Sequence, residues 1–189
     1  MGAIHPSLLA WYRGEDSAAD ASGNGQAGTW TGTEAYSAGR LGRGFDFDGN
    51  SEVLSAAMPQ TAAYSVCAWA RWNRAYNYES PLNGAGYGFA LTSYADRHLY
   101  IRHAAGKNAV TTGAGLFAVD SWAHLAIVMD GSNLRLYFNG VLAGSASDTY
   151  AAAASTELRI GRRYEASSYL YPFDGQIDEV MIFNRALAA

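Results

Sequence analysis

The 13 tyrosines are the chemical excess of this sequence. Tyr76 and Tyr78 stand in the polar stretch Asn73-Arg74-Ala75-Tyr76-Asn77-Tyr78-Glu79. Tyr164, Tyr169 and Tyr171 stand in Arg162-Arg163-Tyr164-Glu165-Ala166-Ser167-Ser168-Tyr169-Leu170-Tyr171. A tyrosine in a polar loop offers an apolar plate with a polar tip. Such a plate suits stacking on a sugar ring or anchoring a protein contact. Asn77, Asn83, Arg162 and Arg163 lie near these rings in sequence and would add hydrogen bonds. The two stretches therefore read as a binding rim. The same rings would also serve as lids over the ends of a β-fold, and residue types alone do not choose between these roles.

The carboxylates offer little to catalysis. Cleaving a glycosidic bond takes two carboxyl groups that flank it. The seven glutamates (Glu15, Glu34, Glu52, Glu79, Glu157, Glu165 and Glu179) are isolated from one another. No Gly-x-Ser-x-Gly nucleophile elbow occurs. His98 and His103 are five apart on a predicted strand, so they face opposite sides and cannot share a metal. Cys67 is the single cysteine, which excludes an internal disulfide and a cysteine-based zinc site. It lies in the apolar run Tyr64-Ser65-Val66-Cys67-Ala68-Trp69 and reads as a small buried hydrophobe.

Charge and hydropathy narrow the partners. Lys+Arg number 13 against 17 Asp+Glu, a formal net charge of -4. Nucleic-acid binding would need a basic face, so nucleic acid is not an expected partner. No run approaches the ~20 apolar residues of a membrane helix, and a membrane is not an expected partner either. The first residues, Met1-Gly2-Ala3-Ile4-His5-Pro6, do not resemble a secretory signal.

Any site needs a frame, and the sequence supplies short β-type runs between turns. Leu8–Tyr12, Leu41–Asp48, Tyr64–Trp72, Tyr87–Tyr94, Arg97–His103, Trp122–Met129, Leu134–Phe138, Leu158–Ile160 and Phe173–Phe183 read as strands. In Tyr64–Trp72 both faces are apolar, which suits a central strand between two layers. In Arg97–His103, Leu99, Ile101 and His103 share one face while His98, Tyr100 and Arg102 share the other. Asn139-Gly140 is the strongest hairpin signal, because both residues tolerate φ > 0. Trp69, Trp72, Trp122 and Phe138 read as core. No helix of twelve residues is predicted. The expected fold class is all-β, a two-layer antiparallel sandwich or jelly roll in one domain over residues 1–189.

Four segments, in order, resemble a known family. They are Trp11-Tyr12 with Asp20-Ala21-Ser22-Gly23-Asn24-Gly25, then Gly44-Phe45-Asp46-Phe47-Asp48-Gly49. Next come Trp122-Ala123-His124 with the hairpin from Asp130-Gly131 to Asn139-Gly140. Last is Phe173-Asp174-Gly175-Gln176-Ile177-Asp178-Glu179-Val180 with Phe183-Asn184-Arg185-Ala186-Leu187. Together they resemble the laminin-G-like, concanavalin A-like lectin/glucanase jelly rolls over about residues 8–187. The resemblance implies two stacked antiparallel sheets and a versatile binding module. It also implies a calcium ion in many members, for which Asp20, Asn24 and Asp178 are the matching ligands and Glu15 and Asp16 the reserves. Its role would be structural, pinning first and last strands together. Glucan-cutting enzymes of this fold carry Glu-x-Asp-x-x-Glu on one strand, a pattern absent from this sequence.

These readings converge on a non-catalytic, lectin-like module. It would recognise glycans through Tyr76, Tyr78, Tyr164, Tyr169, Tyr171 and Arg162. The alternative is a phage virion decoration or tail-associated structural protein that binds other subunits and assembles as a homo-oligomer. The resemblance places either at an extracellular, cell-surface or virion-surface location. Fold does not decide between them.

Overall fold

Strand alternation sorts this chain into two faces almost everywhere. In the computed structural model, residues 5–50, 53–58, 61–84, 89–103, 107–147, 157–165 and 168–188 are described. In chain order the strands are β1 (Leu8–Tyr12), β2 (Thr29–Thr31), β3 (Tyr36–Ala38), β4 (Arg43–Asp48), β5 (Val53–Ala57) and β6 (Ala63–Trp72). Then follow β7 (Glu79–Gly84), β8 (Phe89–Ser93), β9 (Leu99–His103), β10 (Lys107–Thr111), β11 (Ala123–Asp130) and β12 (Asn133–Phe138). The chain closes with β13 (Val141–Ser147), β14 (Glu157–Ile160), β15 (Arg163–Glu165), β16 (Ser168–Leu170) and β17 (Asp174–Phe183).

One sheet runs β13-β12-β11-β6-β17-β4-β3, with β1 added on β17. The other runs β10-β9-β8-β7-β14-β5-β2. All pairings between them are antiparallel, and β15 with β16 forms a separate ribbon. The fold is thus the expected all-β, two-layer sandwich. The inward side chains of the two sheets form one apolar cluster. Trp72 lies in it with its ring stacked on Phe117, centroids 4.3 Å apart. Its indole Nε1 donates to Ser93 Oγ at 3.0 Å, which satisfies the one polar atom the ring brings inside.

The closing strand β17 changes neighbours midway. Its first half pairs β4 and its second half pairs β1, and the register on β6 slips between Asp178 and Met181. Glu179 takes φ 51° at that bulge. Bulges of this kind re-aim a strand, and here the bulge lets one strand join both ends of the chain to the sheet.

Two expectations about the core need correction. Trp69 and Trp122 are only partly buried and stand outside the core cluster, whereas Phe138, also partly buried, packs against it. In β6 the inward positions are Tyr64, Val66, Ala68, Ala70 and Trp72. Trp69 therefore points away from the core. It lies beneath the Arg40 guanidinium, 4.7 Å from the ring centroid, and meets the edge of His124 at 5.2 Å. The apolar second face of β6 is a covered outer surface. The stretch after Arg162 is also not a plain loop, because β15 and β16 pair within it.

Candidate functional site

Alternation in β8 and β9 builds the site. Phe89 and Leu91 point into the core, as do Leu99 and Ile101. Thr92 and Tyr94 therefore face outward, as do Tyr100 and Arg102, and Thr92 lies directly opposite Tyr100 in the ladder. Three side chains from elsewhere close over this face: Tyr78 ahead of β7, Arg163 on β15 and Tyr171 after β16. Together they line a cleft of about 200 Å³.

Rings dominate its walls. Tyr78 and Tyr171 stack at 5.1 Å with planes 24° apart. Tyr94 meets Tyr78 at 5.2 Å and 62°, and meets Tyr100 edge-on at 6.4 Å. The Arg163 guanidinium lies 5.1 Å over the Tyr171 ring. At the outer margin His98 stacks on Tyr94 at 4.4 Å, and its Nδ1 sits 2.6 Å from Asp96 Oδ1. Burial, with the neighbouring Tyr78 and Tyr100 phenols, raises the Tyr94 phenol above its ordinary range.

The stacked pair is held in unusual backbone. Tyr78 has φ 67° and Tyr171 has φ 53°. A bulky side chain seldom adopts this left-handed region, and it persists only where surroundings impose it. Here they do. Tyr78 N donates to Ser93 O at 3.0 Å, Ala95 N donates to Asn77 Oδ1 at 3.0 Å, and Ser80 N donates to Tyr171 O at 3.0 Å. Gly161 turns the chain from β14 toward β15 at φ +86°, and a Cβ there would fall 2.3 Å from the Phe47 ring. Only glycine fits that approach, and it sets the entry of the β15–β16 ribbon that brings Arg163 to the cleft.

A charged brace lies behind the loop. Arg74 Nε donates to Glu79 Oε1 at 2.7 Å and sits 3.4 Å from Asp174 Oδ2. Its guanidinium also lies 5.0 Å from the Tyr76 ring centroid. The Glu79 side chain is 1% exposed while that of Arg74 is 44% exposed. Burial therefore outweighs the ion pair, and the Glu79 carboxyl is pushed up to about 7.

The site residues expected from sequence divide. Tyr78 and Tyr171 line the cleft. Tyr76 is 59% exposed on Arg74 and does not line it. Arg162 precedes β15 and is half-buried, and it is the next residue, Arg163, that reaches the cleft. Tyr164 and Tyr169 oppose each other in the β15–β16 ladder; their side chains lie outside the described residues. Arg163, expected at the rim, lines the cleft, whereas Thr92, Tyr94, Tyr100 and Arg102 were not foreseen as a site. Their signal was the shared face of Tyr100 and Arg102, which needed its neighbour β8 to acquire meaning.

Asp20, Asn24 and Asp178 take other work. Asp20 Oδ1 accepts from Trp11 N at 3.0 Å and Ser22 N at 2.9 Å, and its Oδ2 accepts from Ser22 Oγ and Gln26 N, both at 2.9 Å. Burial opposes the charge, but these bonds outweigh it and hold the carboxyl below its ordinary range. Asn24 Nδ2 donates to Leu8 O at 2.8 Å and Leu9 O at 3.1 Å. Asp178 is fully buried. Its Oδ2 accepts from Leu41 N at 2.8 Å and its Oδ1 from Glu179 N at 2.7 Å. Of the reserves, Asp16 Oδ1 accepts from Arg43 Nε at 2.5 Å and Glu15 Oε2 from Arg43 N at 3.3 Å. Calcium takes six to eight oxygen ligands gathered around one point. Among the described residues no group of three or more His, Cys, Asp or Glu is placed to hold a metal ion. As arranged, the Asp20 and Asp178 carboxylates accept N–H and O–H donors and the expected calcium cage is not assembled among the described residues.

What the cleft offers is a platform. Aromatic faces stack on the C–H faces of a pyranose or furanose, phenols donate and accept, and guanidiniums donate along an edge. Among the described residues lining it there is no Asp or Glu.

Known proteins share this architecture. The chain is similar to domain 4 of AbnA, a GH43 extracellular arabinanase from Geobacillus stearothermophilus, solved in complex with arabinotriose. The TM-score is 0.78 at 22% identity, over 96% of this chain and 94% of that one. It is similar to the binding domain of Paraclostridial Mosquitocidal Protein 1, with TM-score 0.78 and 16% identity over 96% of this chain and 50% of that one. It is also similar to the binding domain of Botulinum Neurotoxin DC in complex with SialylT, with TM-score 0.74 and 12% identity over 96% and 48%. The chain spans about half the length of the latter two. No curated protein matches it in sequence. The sequence profile described as the concanavalin A-like lectin/glucanases superfamily matches residues 46–189, from within β4 to the last residue. With that match and this sandwich, the chain belongs to the concanavalin A-like lectin/glucanase superfamily.

Proposed function

We propose that this protein is a non-catalytic glycan-binding module and that the tyrosine cleft is where the sugar sits. The observation that carries the reading is the stacked pair Tyr78–Tyr171, both held in left-handed backbone at the mouth of a cleft with two more tyrosines. Strain of this kind is maintained by the surrounding bonds and positions rings before a ligand arrives. Similar domains lend support, since one was solved with arabinotriose and another with SialylT. The chemistry is recognition: stacking supplies affinity, and the phenol and guanidinium donors select hydroxyl pattern. Without a carboxylate pair flanking the bound sugar, no bond cleavage is assigned to the cleft.

A glycan-array screen of the wild type beside Tyr100→Ala tests the reading. Saturable binding by the wild type and a loss of about tenfold or more in the variant are expected. A folded wild type that is silent on the array would overturn it and move attention to protein partners. Repeating the screen with a chelator examines calcium as well, and unchanged binding is the expected result.

A further inference from the structure

We propose that the Thr92 hydroxyl, at the floor of the tyrosine cleft, is the contact that selects one hydroxyl of the bound sugar. The proposal rests on the glycan-binding reading above and names the group that chooses among glycans within it.

An orphaned polar atom carries it. Thr92 lines the cleft and is 2% exposed. Its Oγ1 is buried and has no hydrogen-bond partner among the described residues. Neighbouring buried hydroxyls are served by the fold. Ser80 Oγ donates to Leu91 O at 2.7 Å, and Thr112 Oγ1 accepts from Leu99 N at 2.9 Å. Ser93 Oγ accepts from Trp72 Nε1 at 3.0 Å and donates to Glu79 O at 3.3 Å. Ser93 and Thr92 are successive residues of β8 and so face opposite sides. The inward hydroxyl meets the Trp72 indole, and the outward one meets the cleft. Burying a hydroxyl without a partner is unfavourable. A valine of the same shape suits a strand equally well. The fold therefore gains nothing from oxygen at this position, whereas a polar group entering the cleft does.

Position and chemistry specify that group. Thr92 lies opposite Tyr100 in the β8–β9 ladder and two residues before Tyr94 on the same face. Tyr78 and Tyr171 complete the walls around it. The hydroxyl thus sits among rings suited to the C–H faces of a sugar, where low dielectric strengthens a hydrogen bond. Oγ1 lies beneath the cleft surface, and rotation of χ1 between staggered wells carries it toward the cleft without moving the backbone. A threonine hydroxyl both donates and accepts. A sugar hydroxyl does the same, so the two pair in either direction. A methyl ether only accepts, and a deoxygenated carbon does neither.

A cycle that removes each hydroxyl in turn tests this. Titration calorimetry on the whole chain uses cellotriose, xylotriose, mannotriose and the oligosaccharide that binds most strongly on the array, each beside its singly deoxygenated forms. For a parent that binds, wild type should hold one deoxygenated form about tenfold or more weaker. Thr92→Val should bind that parent about tenfold weaker than wild type does and should no longer distinguish the two forms. Thr92→Ser, which keeps the hydroxyl, should keep the distinction. Because Oγ1 serves no partner in the fold, Thr92→Val should unfold at the wild-type midpoint or above it. Far-UV circular dichroism confirms that both variants fold. Unchanged affinity in Thr92→Val would overturn the proposal and leave glycan binding intact. So would a loss of affinity with the distinction retained, since the selecting group would then lie elsewhere. A lowered midpoint in Thr92→Val would show that the hydroxyl works for the fold and would overturn the proposal too. Silence of wild type toward every glycan would remove the glycan-binding reading itself.

Discussion

Two polar clusters sit on this sandwich, and they turn their polar atoms in opposite ways. At the junction of β1 and β17, Asp20, Asn24, Asp178 and Glu179 turn their polar atoms toward the protein. Asp20 closes the loop over Trp11 through Gln26, Asp178 takes the Leu41 amide, and Glu179 takes the Trp11 indole. At the outer face of β8 and β9, Tyr78, Tyr94, Tyr100 and Tyr171 surround open space. Both regions contain non-glycine residues with positive φ, Glu179 in one and Tyr78 and Tyr171 in the other. The comparison shows that strain by itself does not mark a binding site. At the bulge it lets one strand change partners, whereas at the cleft it aims rings at solvent.

Each region should therefore fail differently. The largest effect is expected for Asp178→Ala, which leaves the buried Glu179 amide and the part-buried Leu41 amide without their carboxylate acceptor. A loss of about 2–4 kcal/mol in urea unfolding is expected, with glycan affinity of the folded protein unchanged. Affinity lost without stability would break the comparison.

Tyr171→Ala should do the reverse. It removes the stacking partner of Tyr78 and the plate beneath Arg163. Glycan affinity should drop about tenfold to thirtyfold while the unfolding free energy changes by roughly 1 kcal/mol or less. Calorimetry and urea unfolding on the same sample separate the two.

The brace behind the loop gives a pH signature. Burial pushes Glu79 up to about 7 from its ordinary 4.5. A carboxyl raised in the folded state stabilises the fold while protonated. That contribution is full below the ordinary value and is lost as pH rises through about 7. Glu79→Gln stays neutral throughout. Measured between pH 5 and 8, the stability of the variant relative to wild type should rise by on the order of 1–3 kcal/mol. A flat difference would show that the Arg74 ion pair, not burial, governs this carboxyl.

Tyr76→Ala should do least. Tyr76 is exposed and lies on Arg74 outside the cleft. Stability within about 0.5 kcal/mol of wild type and unchanged affinity are expected. A marked loss of affinity would extend the site along the loop.

Much of the frame was legible in the sequence because alternation is local. β6, β9, β11, β12 and β17 follow directly from the spacing of their apolar residues, and the Asn139-Gly140 turn from its φ preference, with Asn139 at φ 50°. The site was half legible. Tyr78 and Tyr171 stood out as loop aromatics, but Tyr94 and Tyr100 read as ordinary strand residues. A short turn joins β8 to β9, and their pairing is local. The ribbon and loop that fold Arg163, Tyr171 and Tyr78 over that pair are placed by tertiary packing and leave no short-range mark. Trp69 misled for a related reason: an apolar outer face covered by Arg40 and His124 has the same spacing as a core face.

The most direct test of the central claim is an NMR map of aromatic side chains, recorded while an array-positive oligosaccharide is titrated into the wild type. The shifts should concentrate on Tyr78, Tyr94, Tyr100 and Tyr171 and leave Trp11 and Trp69 on the opposite sheet unmoved. Shifts centred on Trp11 and Trp69, with the four tyrosines silent, would contradict it and place the binding surface on the eight-stranded sheet.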